Sequence, residues 1–135
     1  DCFSDNTHNS HLYDAVGIRN VYLGSYTKVD GSVVSGPSLS ELVAQKDAAI
    51  DGELKADLDA TIASMETMAK RAEATEAYDQ MIASGNAEGN AIVQAAIDGL
   101  VKQTRSIERA IAALDLGTIE LEGSDSLDNP NAVFQ

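Results

Sequence analysis

The stretch VQAAIDGLVKQTRSIERAIAAL, Val93 to Leu114, decides the fold. Val93, Ile97, Leu100, Thr104, Ile107, Ile111 and Leu114 recur at alternating spacings of four and three residues. Such positions stack on one face of an α-helix, so the run builds a seam of the coiled-coil kind that packs antiparallel bundles. Thr104 interrupts the seam with a hydroxyl, flanked by Gln103 and Arg105, and a Thr in that setting is usually satisfied by its own helix.

Upstream of this seam the pattern stays helical. Asp47 is a plausible cap for a long helix to about Ala72, with Leu54, Leu58, Ile62, Met65 and Met68 or Ala69 as its apolar line. EAYDQMIA, residues 76–83, reads as a short helical piece before a break at SGNAEGN, residues 84–90. Pro37 and Ser38 open a short helix through LSELVAQK, residues 39–46. A first helix is expected from a cap at Ser4 or Asp5 to about Tyr22, ended by Gly24. Between them SYTKVDGSVVSGPS, residues 25–38, is an irregular segment in which Asp30-Gly31 marks a turn and a small hairpin. After Gly117 the chain offers one strand-like piece and then turn chemistry. The fold class is therefore all-α, an antiparallel helical bundle with a small irregular or hairpin segment near 25–37. Three long helices make a thin core, so a further helix or a partner half is expected.

Composition narrows the function classes. The 135 residues suffice for one domain, and 22 Asp and Glu against 9 Lys and Arg give a net charge of −13. That excess repels phosphate backbones, so no nucleic-acid partner is expected, and no apolar run is long enough for a transmembrane segment. Cys2 is the only cysteine, which excludes an internal disulfide and a cysteine-built metal site. There is no CxxCH, HExxH, Walker loop or GxGxxG. The absence of an initiator Met and of a targeting segment fits a processed chain or a piece of a longer protein.

Two places hold polar residues where apolar ones are expected. On the first helix Leu12, Val16 and Leu23 form an apolar stripe that also contains His8 and Arg19, with His11 at its edge. Buried polar groups need partners, so these residues either serve a site or are satisfied structurally. His8 and His11, spaced i, i+3 in HNSH, could share a metal, but only Asp5 stands nearby as a further ligand. GSDSLD, residues 123–128, lacks the length and terminal Glu of a calcium loop and reads more simply as a turn or cap.

At CFSDNTH (2–8), GIRNVYLG (17–24), LVKQTRSIERAI (100–111) and EGSDSLD (122–128) the sequence resembles the C-terminal half of imelysin-like proteins, the insulin-cleaving metallopeptidase family. The motifs occur in the family's order and the likeness runs from Cys2 through Phe134. It implies an exported bacterial protein, periplasmic or attached to the cell envelope, with two helical halves and a functional site where they meet. Members are associated with iron uptake or iron regulation, and some are described as metallopeptidases. The family's metal signature, GxHxxE, belongs to the N-terminal half and is absent from this chain, since neither His8 nor His11 has Glu at the required spacing.

Carried over by motif, the inter-half cleft would draw on Asp5, Asn6, Thr7 and His8, on Arg19, on Gln103, Thr104 and Arg105, and on Ser124, Asp125 and Ser126. His8 is the best metal candidate, with iron or zinc bound mainly by the other half. The implied partners are the N-terminal half of the same polypeptide, iron-uptake components or a peptide ligand. Three functions stay open: a metal-linked envelope protein serving iron uptake, a metallopeptidase whose His and Glu lie on the other half, and a structural half in which His8, Arg19 and Thr104 form a buried network. On any of them Cys2 and Phe3 are expected to anchor the chain's entry by burial.

Overall fold

The computed structural model describes residues 3–117; Cys2, the strand-like piece after Gly117 and the GSDSLD turn with Ser124, Asp125 and Ser126 lie outside them. The elements are α1 (Thr7–Leu23), β1 (Ser25–Thr27), β2 (Val33–Ser35), α2 (Leu39–Lys46), α3 (Ala48–Ala74), α4 (Tyr78–Met81) and α5 (Ala87–Ala113). The all-α reading with a small hairpin holds.

Local chemistry sets the boundaries. Asn6 precedes α1, and the helix ends at Gly24 in the left-handed region, φ 59°. A Cβ there would stand 2.8 Å from the Pro37 carbonyl oxygen, so both conformation and close approach require glycine. β1 and β2 pair antiparallel with Tyr26 opposite Val34. Their turn is closed by the Lys28 N–H to the Ser32 carbonyl at 2.8 Å. The Asp30 carboxylate accepts from the Ser32 N–H and Oγ at 2.9 and 2.6 Å. Ser38 and Glu41 form a reciprocal capping box on α2. Asp47 caps α3 by accepting from the Ala49 and Ile50 amides at 2.9 and 3.2 Å. The α4–α5 join is latched by Asn90, whose amide donates to the carbonyls of Met81, Ala83 and Asn86.

α3 is the central helix, packed by α1 on one flank and α5 on the other. Both neighbours run antiparallel to it: Arg19 meets Asp59 and Tyr22 meets Asp51, while Ser106 meets Asp57 and Arg109 meets Glu53. Two apolar clusters result. One joins Ala15, Met65, Met68, Met81, Val93 and Ala96, and the other joins Tyr22, Val43, Leu54, Leu58 and Ala110.

Two sequence expectations are corrected. Phe3 is fully exposed rather than buried, because it stands outside α1, ahead of the Asn6 cap, and so is not on the helix face that packs into the core. The α5 seam is also turned from its expected place. The residues buried on α5 are Gly89, Val93, Ala96, Gln103, Ser106 and Ala110, mostly small; Gly89 packs on Met81 of α4, and those after it allow close approach to α3. A Cβ on Gly99 would lie 3.1 Å from Thr61 Oγ1. The larger aliphatics flank this line: Leu100, Ile107 and Leu114 are half-buried, and Ile97 and Val101 are exposed.

Candidate functional site

The motif residues of the expected cleft fall at two levels of the bundle. Asp5 and Asn6 are exposed at the start of α1, Asp5 with φ 49°, and Asn6 Oδ1 accepts from the Asn9 amide at 2.9 Å. Thr7 is half-buried in the first turn and His8 is buried, 7% exposed. His8 Nδ1 is buried with no hydrogen-bond partner, while Nε2 lies 3.3 Å from the Asn9 amide and 4.0 Å from Glu73 Oε1. His11 points elsewhere: it is exposed, with its ring 5.8 Å from that of Tyr78.

Arg19 follows three turns later, about 16 Å along the helix from His8 at 1.5 Å per residue. Its Nε donates to Asp59 Oδ1 at 2.6 Å. Gln103, Thr104 and Arg105 stand at the same level on the opposite flank of α3. Gln103 is buried, Thr104 Oγ1 donates to the Leu100 carbonyl at 2.9 Å, and Arg105 reaches Glu108 at 3.5 Å on the surface. His8, Arg19 and Thr104 thus have separate partners and form no common network.

Buried polar networks do exist, built from residues the sequence reading left out. Asp51, on α3, is buried and accepts from Tyr22 of α1 at 2.9 Å, Ser40 of α2 at 2.7 Å and Lys55 at 2.7 Å. Burial pushes its carboxyl up, but the donors from Lys55, Ser40 and Tyr22 outweigh this and hold it below the usual carboxylate range. Tyr22 is driven the other way, above its ordinary value, by burial and by the Asp51 charge. Asp57 repeats the design toward α5, accepting from Ser106 Oγ at 2.6 Å and Lys102 Nζ at 2.8 Å, and is likewise held low. Arg109 extends it by donating to Ser106 Oγ and Glu53. The signal was available. Asp51, Leu54, Leu58, Thr61, Met65 and Met68 share one line at spacings of three and four, so Asp51 stands among apolar core residues.

An apolar groove lies between α1 and α5. It measures about 170 Å³ and is lined by Ile18, Val21 and Tyr22 of α1 and by Ile107, Ile111 and Leu114 of α5, with Leu39 and Val43 of α2 as a third wall, above Leu54 and Leu58. Val21 is 72% exposed and Ile18 is also exposed. Val21 also borders a wider surface hollow of about 730 Å³ formed by α1 and the hairpin, with Tyr13, Gly17 and Tyr26. The C-terminal part of the α5 seam therefore borders this groove while Ile107 and Leu114 also pack against Leu54 and Leu58 of α3.

Among the described residues no three His, Cys, Asp or Glu side chains gather to hold an ion, and His8 stands without a second ligand beside it. No helix among them is long and apolar enough to cross a membrane.

The imelysin family profile matches residues 1–107, which span α1 through most of α5. No curated protein matches the chain. The match takes in the SDNTH and GIRNVYLG motifs, which build α1 and its cap, and the start of QTRSIE on α5. Covering most of the sequence and accompanied by the all-helical architecture, it establishes that the chain belongs to the imelysin family.

Proposed function

We propose that this chain is one helical wall of a two-part imelysin-type envelope protein serving iron uptake or iron regulation. The other part lays a helix into the α1–α5 groove. The observation that carries this reading is the unfilled groove itself: α5 keeps a seam of period 3.5, yet its Ile97 is exposed and its Ile111 and Leu114 line an open groove opposite Ile18 and Val21. Such a seam is stabilised by a facing helix, and exposed contiguous apolar surface marks an interaction site. Family membership supports the envelope location and the link to iron. Metal ligands then come mainly from the other part, and His8 is the single buried nitrogen this wall can add.

Two experiments test the reading. The 135-residue chain and the remainder of the polypeptide, produced as separate pieces, should co-purify, and Val21→Glu with Ile111→Glu should abolish the association. Co-purification unaffected by the pair would remove the groove from the interface. In the full-length protein His8→Ala should weaken iron binding, and unchanged affinity and stoichiometry would leave His8 with a structural role only.

A further inference from the structure

A second, polar niche of about 270 Å³ opens on the other flank of α1, lined by Arg19, Leu23, Lys55, Leu58 and Asp59. In a chain with only 9 Lys and Arg, two of them meet here. Their engagement is incomplete. Arg71 uses two nitrogens of its fork, on Glu76 and Glu88, whereas Arg19 uses Nε alone, and its terminal nitrogens donate to no described residue. Arg19 is also 37% exposed in its side chain, and Lys55 43%, so both reach solvent, and Leu23 and Leu58 supply the apolar part of the niche lining. Asp59 is more exposed than either, and among the described residues its one ion pair is with Arg19. It sits four residues from Lys55 on α3 yet pairs across to α1, while Lys55 pairs back to Asp51.

An Arg fork with a free edge, a second cation and apolar walls make a carboxylate receptor: planar, bidentate donors match a carboxylate's two oxygens. We propose that the niche between α1 and α3 binds a small carboxylate on Arg19 and Lys55, with Asp59 occupying the Arg19 donor in the unliganded chain. The ligand displaces Asp59, which swings to water, so no buried charge is left unpaired. The niche is separate from the α1–α5 groove, and the inference stands independently of what fills that groove.

Calorimetric titration of the full chain with succinate at low ionic strength tests this, with the Arg19 Nε–Hε resonance as a second readout. Saturable binding is expected, weakened at least about tenfold by Arg19→Gln, the loss of a charge-assisted bidentate contact. Arg19→Lys, which keeps charge without the fork, should weaken it nearly as much, and Asp59→Asn should tighten it several-fold by removing the internal competitor. Circular dichroism confirms that each variant is folded. The absence of saturable binding up to tens of millimolar succinate, or an Arg19→Gln variant that binds like the parent, overturns the proposal. Inorganic phosphate binding as tightly as succinate overturns the carboxylate assignment.

Discussion

The α3–α5 contact can be dissected at Asp57. Its carboxylate is 4% exposed and takes two charge-assisted hydrogen bonds, from Ser106 Oγ at 2.6 Å and from Lys102 Nζ at 2.8 Å. The partners differ in burial: Ser106 is 1% exposed and the Lys102 side chain 70%. When the carboxylate is removed, Lys102 rehydrates at little cost, but the Ser106 hydroxyl loses its acceptor inside the interface. A buried hydrogen bond to a charged group contributes about 1.5–3 kcal/mol, whereas an ion pair with a solvent-exposed partner contributes about 0–1 kcal/mol. A double-mutant cycle of Asp57→Ala with Ser106→Ala should therefore give a coupling of about 1.5–3 kcal/mol, and Asp57→Ala with Lys102→Ala at most about 1 kcal/mol. Urea denaturation followed by circular dichroism measures both. Equal couplings, or a larger one for Lys102, would refute the argument that burial rather than charge sets the strength of this lock.

Four other outcomes follow from the geometry. Because Asp51 and Asp57 are held below the usual carboxylate range, the folded state binds protons less readily than the unfolded chain; their stabilisation is fully present above about pH 4 and is lost as pH falls through the folded values. A pH series of urea midpoints should show this fall, and Asp57→Asn should flatten part of it. Gly89→Ala should destabilise by about 1–3 kcal/mol, since its Cβ would meet the Met81 carbonyl oxygen at 2.6 Å. Gly52→Ala, with nothing within 4 Å of a Cβ, should instead stabilise α3 by about 0.5–1 kcal/mol. Asp47→Ala, which removes acceptors for two α3 amides, should cost about 1 kcal/mol in the same assay.

Most of the architecture was legible because it depends on local rules. Asp47, Ser38 and Gly24 announced three helix ends through capping chemistry, and Asp30-Gly31 announced the hairpin. The period of α5 announced a bundle, but not its orientation. Small residues such as Ala96, Ser106 and Ala110 face α3 because they permit close approach, and a pattern based on large aliphatics looks past them. The site was less legible. His8 was picked out correctly as a polar residue on a buried face, whereas Arg19 turned out to be a half-exposed residue paired across to α3. Asp51 and Asp57 were missed because a carboxylate in a helical sequence reads as surface until a Tyr, Ser or Lys from another element is placed beside it. That placement is tertiary and leaves only a faint periodic trace.

If, as proposed, the α1–α5 groove receives a helix from the rest of the polypeptide, that helix can be captured in place. The most direct measurement is photo-crosslinking from a benzoylphenylalanine placed at Ile111 in the full-length protein, with the captured peptide identified by mass spectrometry. Ile111 lines the groove opposite Ile18 and Val21. An intramolecular cross-link to an amphipathic segment of the polypeptide outside these 135 residues is expected. Capture confined to peptides of these residues, or no capture at all, would contradict it.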